Sequence, residues 1–448
     1  MRYSRQMVNP VSDGVFSRLL TRALGPAMAF PAYRSFWIGT LASVCGFQML
    51  NFSQFWIVHR LTGDPLFLGW VGLANAVPAI ALNIFGGVLA DKLDRRRLIA
   101  ITQTINGVLI LILASLTFAG VVQAWHVIVL AFFAGAVNAF DQPARMALYP
   151  ALIDRSVMMN AVALNSAVWT GTRIVAPAFA GLVITIAGEG VSFLLSAVGF
   201  LILAVVVIRM KVPTEKVPKR ENAPVAGSGG LFEGTKFIIG NSVFAFLIAT
   251  TFFNSFFGMS YIPMMPVIAV DILKVGADGQ GVMMGFGGIG ALGMTLFLGR
   301  IKNLRYRGQM IVLGSACFGL SLAALAVTSE QLGSYPLATL LMFAMGAVSS
   351  VYMISIMSSL QLMVPDQMRG RVMGFYGMTW SIMPLGGMYV GALAGAFGDG
   401  STGVPTAVAI GGVMVALFAV GPVFLNKDVR NLDALIESRQ AAGMSKSK

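Results

Sequence analysis

The stretch GGVLADKLDRRRLI, residues 86–99, sets six charged side chains into the seven positions from Asp91 to Arg97, in a chain where only 11% of residues are charged. Uncharged apolar sequence runs away from it on both sides, through residues 65–90 upstream and Leu98–Val122 downstream. About 25 residues without a charge are enough to cross a hydrocarbon core of ~30 Å at about 1.5 Å per residue. The charged stretch therefore reads as a short aqueous turn between two membrane helices. The whole chain agrees: 57% of its 448 residues are hydrophobic and the mean hydropathy is +0.80. Lipid offers no partner for a backbone N–H or C=O, so such segments must be helical, and they are too long for barrel strands.

Repeating the reading along the chain gives twelve expected spans: 35–59, 65–90, 98–120, 125–147, 160–187, 190–209, 241–270, 279–299, 309–328, 335–361, 371–398 and 404–425. The formal charge of +13 suggests nucleic acid only until the basic residues are placed on this topology. Twenty-eight of the 31 Lys and Arg fall on the side of the two termini, Arg60 and Lys274 fall on the other, and Arg173 lies within a span. That asymmetry obeys the positive-inside rule and puts both termini in the cytoplasm of a multi-pass inner-membrane protein, with no nucleic-acid partner implied. Cys45 and Cys317 fall in spans and read as small apolar residues, without metal spacing. Residues 1–30 lack the apolar core of a cleavable leader. Instead Val15, Phe16, Leu19, Leu20, Ala23 and Leu24 recur at helical spacing with Arg18 and Arg22 between them, the pattern of a basic amphipathic helix on an anionic leaflet or of a solvated tail.

The chain divides near its middle. Residues 210–240 carry Pro213, Pro218, Pro224 and Gly227-Ser-Gly-Gly230, the composition of a linker. The expected parts are a cytoplasmic N-terminal segment 1–34, a six-helix bundle 35–209, the linker, a second bundle 241–425 and a cytoplasmic tail 426–448. The halves echo one another. Pro150-Ala-Leu-Ile-Asp-Arg155-Ser-Val-Met-Met159 after span four matches Pro365-Asp-Gln-Met-Arg369-Gly-Arg-Val-Met373 after span ten. The charged turn has a degraded copy at Gly299-Arg300-Ile-Lys302-Asn-Leu-Arg305-Tyr-Arg307. Parallel repeats of this kind in transporters place substrate between the halves near the bilayer midplane.

At the opening stretch, Gly87-Val-Leu-Ala-Asp91-Lys92-Leu-Asp94-Arg95-Arg96-Arg97 resembles the loop signature of the major facilitator superfamily, with Asp94 where most of that superfamily has Gly. Phe36-Trp37-Ile-Gly39, Leu61-Thr-Gly63, Asn138-Ala-Phe-Asp141-Gln-Pro143-Ala-Arg145 and Asn160-Ala-Val-Ala-Leu-Asn165-Ser166 are similar to the branch holding the enterobactin exporter and macrolide efflux proteins. The resemblance implies an all-α fold of twelve transmembrane helices in two six-helix bundles. It also implies secondary efflux of a small molecule such as a siderophore or drug, driven by an inward proton gradient. It assigns Gly87, Asp91, Lys92, Arg95 and Arg96 to a conformational latch, with Asp91 and Arg95 reaching the start of span eleven near Arg369–Gly374. Gly171-Thr-Arg173-Ile-Val-Ala176-Pro177-Ala-Phe-Ala180-Gly181 weakly resembles the Gly/Pro-rich antiporter motif, with Ala at two of its Gly positions.

Among the eighteen acidic residues, Asp141 alone lies well inside an expected span, about 8 residues or ~12 Å from its end. Intramembrane carboxylates are costly and point to function. Arg145 is at i+4 and Arg173 is on span five, so Asp141, Arg145 and Arg173 form either a proton-coupling group or a structural brace at the Pro143-altered helix end. Gln48, Asn51 and Gln54 share a stripe of span one, and Asn254 stands among Phe252, Phe253, Phe256 and Phe257 on span seven. With Asn138, Trp169 and Trp380 they are candidate lining for an amphiphilic aromatic substrate; interhelical hydrogen bonds are the alternative for the amides. His59 reads as an interfacial histidine. No Walker loop, HExxH or Gly-x-Ser-x-Gly elbow is present, so no cofactor, metal or enzymatic chemistry is expected, and the chain is expected to act as a monomer. Lysophospholipid transport and a non-transporting membrane scaffold are the competing functions.

Overall fold

In the computed structural model, residues 15–210, 228–301, 306–398 and 400–435 are described, and every regular element among them is helical. Twelve helices are long and apolar enough to span a membrane. In order they are Pro31–Thr62, Pro65–Lys92, Arg95–Phe118, Ala124–Leu148, Met158–Ala187, Glu189–Arg209, Ser242–Ile272, Ala277–Gly299, Arg307–Leu332, Tyr335–Met363, Arg371–Phe397 and Val404–Leu425. All twelve coincide with expected spans, and several run a turn further because a helix need not stop at the hydrocarbon edge. An amphipathic helix, Val15–Leu24, precedes them; its Leu20 and Leu24 pack on a core cluster and Leu19 faces out.

Two spans are irregular. Span seven carries π-helical turns at Asn254–Gly258 and Val267–Ile272, with Pro263 and Pro266 between and before them. A π turn accommodates one extra residue and is common where a helix serves a function. Span eleven breaks at Ile382, between Asp366–Ser381 and Met383–Phe397. Pro384 sits in the first turn of the second piece, where its missing N–H needs no partner.

The chain divides into two compact units, Met1–Ile57 with Val77–Glu221 and Val58–Ala76 with Asn222–Lys448. In the first, span three packs along span six; in the second, span nine packs along span twelve, the equivalent pair of the repeat. Lipid gives helices no hydrophobic reason to associate, so close backbone approach supplies the attraction. A Cβ on Gly46 would lie 2.6 Å from the Ser196 carbonyl, and one on Gly199 2.5 Å from the Ala42 carbonyl. Ser53 and Ser192 join their hydroxyls at 2.7 Å along the same seam. In the second unit the start of span two meets span eleven in the same way. A Cβ on Gly72 would lie 2.7 Å from the Pro384 carbonyl, and one on Gly391 2.7 Å from that of Pro65. At that end His59 Nε2 is 3.3 Å from Asp271 Oδ1. The histidine is buried against a carboxylate rather than simply interfacial.

Several family-like motifs prove to be joints. Trp37 Nε1 donates to the Leu164 carbonyl and the Tyr33 hydroxyl to that of Ala161, each at 3.1 Å, fastening span one to span five. Asn160 accepts from Ala27 N–H at 2.9 Å and donates to the Leu24 carbonyl at 3.0 Å, holding the N-terminal helix to the bundle.

The charged turn is a set of helix caps. Asp94 N-caps span three, accepting from the N–H groups of Arg96 at 2.9 Å and Arg97 at 3.4 Å. Arg95 donates to the Ala147 carbonyl at 3.0 Å, and Arg96 to those of Val207 and Ile208 at 3.2 and 3.3 Å. These are the last turns of spans four and six, whose carbonyls lack intrahelical donors and favour a nearby cation. Gly87, Asp91 and Lys92 continue span two as helix, and their side chains lie outside the described residues. In the second unit, part of the matching turn also lies outside them. There the tail supplies the cap: Asp433 accepts from Gly308 N–H at 2.6 Å and Gln309 N–H at 3.3 Å at the start of span nine.

This explains Asp94 where a glycine is usual: it replaces a neutral cap with one that accepts two hydrogen bonds. Asp94→Ala should destabilise the purified protein by about 1 kcal/mol and Asp94→Gly by only a few tenths, read as the order of melting temperatures in detergent. Equal melting of all three proteins would remove the cap from the account.

Candidate functional site

Span three interrupts an apolar run with Thr102, Gln103 and Asn106, and span four does so with Asn138, Asp141 and Arg145. Helical spacing of three and four residues puts each set on one face. The two faces meet, and span one adds Ser43. Asp141 is 3% exposed. Its Oδ1 accepts from Thr102 Oγ1 at 2.8 Å and Gln103 Nε2 at 2.9 Å, and its Oδ2 from Arg145 Nε at 2.5 Å. Arg145 Nη2 donates to Ser43 Oγ at 2.8 Å, and Ser43 donates onward to Gln103 Oε1 at 2.8 Å.

The result is a closed ring: Asp141, Gln103, Ser43, Arg145 and back to Asp141. The ring fixes its own polarity. An ionised carboxylate only accepts and a guanidinium only donates, so Gln103 must turn its amide N to Asp141, and Ser43 must send its one hydrogen to Gln103. Low surrounding dielectric strengthens each contact and makes any lost one expensive. One turn further along, Asn106 Nδ2 donates to Asn138 Oδ1 at 3.2 Å. Asn138 therefore makes a hydrogen bond between spans three and four beside the ring.

Two polar atoms at the ring's edge are buried without a hydrogen-bond partner among the described residues: Arg145 Nη1 and Thr40 Oγ1. Both residues line one cleft, together with Phe36, Tyr149, Asn165 and Trp169. Trp169 also meets Phe47 edge-on, with ring centroids 6.2 Å apart.

The remaining candidates scatter. Arg173 lies exposed on span five, and the arginine that hydrogen-bonds to Asp141 is Arg145. Gln48 and Asn51 are half-buried on span one, one and two turns from Ser43, whereas Gln54 is buried at 3%. In the second unit Asn254 does not line open space. It is 3% exposed, and its amide N donates to the Thr250 carbonyl at 2.8 Å and to Ser315 at 3.3 Å, the interhelical role. Its π turn aims Phe253 and Phe257 elsewhere: Phe253 stacks on Phe418 at 3.8 Å, and Phe257 meets Tyr389 edge-on at 5.2 Å. Trp380 is half-buried, edge-on to Tyr376 at 6.5 Å. Of the latch candidates, Arg95 and Arg96 cap spans four and six within their own unit. Thr40, Ser43, Thr102 and Gln103 were missed because single hydroxyls and amides in a span carry no sequence signal by themselves. The grouping Thr102-Gln103-x-x-Asn106 was the available hint.

Twelve membrane-length helices in two compact units, with an aspartate and an arginine hydrogen-bonded to one another inside the first, define a polytopic membrane protein. The family described as transmembrane secretion effector matches residues 21–445, and the chain belongs to it, within the major facilitator superfamily. The staphyloferrin A transporter of Staphylococcus aureus is 25% identical over 77% of this chain and 84% of its own. The multidrug efflux pump Tap of Mycolicibacterium fortuitum is 26% identical over 77% of this chain and 84% of its own. Macrolide efflux protein A of Streptococcus pyogenes is 22% identical over 90% of this chain and 97% of its own. Among solved structures, the nucleoside transporter NupG superposes with a TM-score of 0.66 at 17% identity, covering 87% of this chain and 98% of that one. A bacterial homologue of the lysosomal transporter Spinster gives 0.65 at 12%, covering 91% and 98%. The protein is thus a multi-pass bacterial membrane transporter and not an enzyme.

Proposed function

We propose that this chain exports a small amphiphilic molecule from the bacterial cell by proton antiport, with both termini in the cytoplasm, and that Asp141 carries the proton. The buried ring is the observation that supports this. A carboxylate at this depth has to be either paired or protonated, and the ring provides for both states. When Asp141 is ionised, Arg145 is held through Nε and Nη2. When Asp141 is protonated, the Thr102 hydroxyl has a second acceptor ready, the Ile99 carbonyl at 3.0 Å, and can receive the carboxyl hydrogen. The proton then costs the arginine its charge partner without leaving the carboxyl unpartnered. An efflux pump and a macrolide efflux protein among the relatives support the direction of transport.

The packing of Val58–Ala76 against span eleven, glycine to carbonyl, is the kind of contact that alternating access has to make and break. On the other side of the membrane, Asp91 and Arg95 would serve as the latch that the loop signature implies. A few contacts made in one state alone are enough to bias such an equilibrium.

Asp141→Asn keeps the volume and mimics the protonated acid. In proteoliposomes it should abolish uphill, gradient-driven efflux and leave downhill exchange measurable, with a melting temperature near that of the parent protein. If Asp141 only braces Arg145, the uncompensated guanidinium costs roughly 3–5 kcal/mol; both transport modes and the fold then fail together, and the coupling role is refuted.

The orientation has its own check. Cysteines placed at Gly229 and Asn303 should be shielded from an impermeant thiol reagent in intact cells, and one at Gly276 should react. Labelling at 229 from outside would invert the topology.

A further inference from the structure

We infer that His59 and Asp271 form a proton-operated clasp on the side of the membrane opposite the termini. A proton taken up by the imidazole favours closure of the seam that Val58–Ala76 makes with spans seven and eleven. This rests on the reading of the chain as an alternating-access antiporter, and it adds to Asp141 a second group whose charge the transport cycle changes.

The chain has two histidines, and their surroundings differ. His126 lies in the first turn of span four, where its Nδ1 accepts from the Gln123 N–H at 3.0 Å as part of a helix cap. His59 lies in the last turn of span one and is 6% exposed, just past Ile57, where span one passes from the first compact unit to the second. Its Nε2 meets Asp271 Oδ1 at 3.3 Å. Asp271 belongs to the π turn Val267–Ile272 that ends span seven, and the Leu273 N–H there reaches back five residues to the Ile268 carbonyl at 2.9 Å. Such a turn holds one residue more than an α turn, which sets the phase at which Asp271 leaves the helix. The neighbouring contacts of the seam run from glycine to carbonyl, Gly72 to Pro384 and Gly391 to Pro65. Those are dispersion contacts and do not respond to pH. The imidazole does.

The carboxylate decides which nitrogen can take the proton. An ionised carboxylate only accepts, so Nε2 carries a hydrogen, and in the neutral ring Nδ1 keeps the lone pair. Nδ1 is buried without a hydrogen-bond partner among the described residues, so no donor competes for that lone pair. The Asp271 side chain is 29% exposed, which puts the pair at the edge of water and within reach of a proton. Protonation turns the contact into one between opposite full charges, shorter and stronger than its neutral-ring form. The other charged groups on that side are Arg60, Asp64, Glu189, Lys274, Asp278 and Glu330. Asp64 accepts from the Leu66 N–H at 2.8 Å at the start of span two, and Lys274, Asp278 and Glu330 are exposed. It is Asp271 that stands against the imidazole.

The sign suits antiport. Substrate leaves through the opened seam, and opening parts His59 from Asp271. On the acidic side of an inward proton gradient the freed imidazole takes a proton, and the new charge draws it back to the carboxylate. The coupling is reciprocal: acid favours closure, and closure favours the proton. The proton on His59 resets the outer gate, whereas the proton on Asp141 releases Arg145.

The test is the distance between spin labels at Leu61 on span one and Val282 on span eight, each 40% exposed, with Cys45 and Cys317 replaced by alanine. The full chain is measured in lipid nanodiscs. From about pH 8 to about pH 5.5, the range in which an imidazole gains its charge, the short-distance population should rise at least about threefold relative to the long one. His59→Gln keeps a donor opposite Asp271 and cannot gain the charge; Asp271→Asn removes the anion. Each should flatten the response, and His126→Gln should leave it intact. An equal response in His59→Gln or Asp271→Asn, or none in the parent, overturns the inference. Asp141→Asn should respond as the parent does; a response lost there assigns the proton to the ring and also overturns it. Uphill efflux in proteoliposomes tests the antiport reading separately. A flat parent with intact efflux removes the clasp alone, and a normal response with failed efflux removes the antiport and leaves the clasp.

Discussion

A carboxylate that crosses into the interior of a membrane bundle must be fully hydrogen-bonded, and most of the polar chemistry of this chain's first unit follows from that one demand. Asp141 is satisfied by residues from spans three and four, and Arg145 in turn by span one. Because the ring joins residues of spans one, three and four, those helices are set in register as well as held together. The glycine seams bring backbones close by dispersion alone. The ring makes only one arrangement of those helices electrically acceptable.

The same economy of partners governs the helix ends of both units. Span three begins with an aspartate cap, spans four and six end under arginines, and span nine borrows its cap from the tail. The repeat has kept the requirement, a carboxylate at the start of the third helix of each half, while changing the residue that meets it. Arg95 and Arg96 donate to helix-end carbonyls within the first unit.

The fold was almost fully legible in the sequence. Uncharged runs of the right length admit no alternative to helices, and loop charge orders them. Asp141 and Arg145 were legible because charges inside an apolar run stand out. Their partners were not: Ser43, Thr102 and Gln103 look like ordinary tolerated polar residues until the tertiary pairing of three helices is known. Asn254 misled for the complementary reason. An amide among phenylalanines suggests a lined cavity, yet here it satisfies Ser315 across a helix interface, and the phenylalanines pack on Phe418 and Tyr389. Arg173 misled by proximity along the chain's motif, since helical phase turns it to the exposed face. Sequence shows which polar groups are buried more readily than which of them meet.

The central claim is that one buried carboxylate changes its protonation state during transport. Infrared difference spectroscopy on the reconstituted protein reads this directly, since a protonated carboxylic acid in a poorly hydrated site has a carbonyl stretch that a carboxylate lacks. On acidification the parent protein should gain such a band, and Asp141→Asn should not. A band of equal size in the Asn variant, or none in the parent across the pH range in which it transports, would contradict the account.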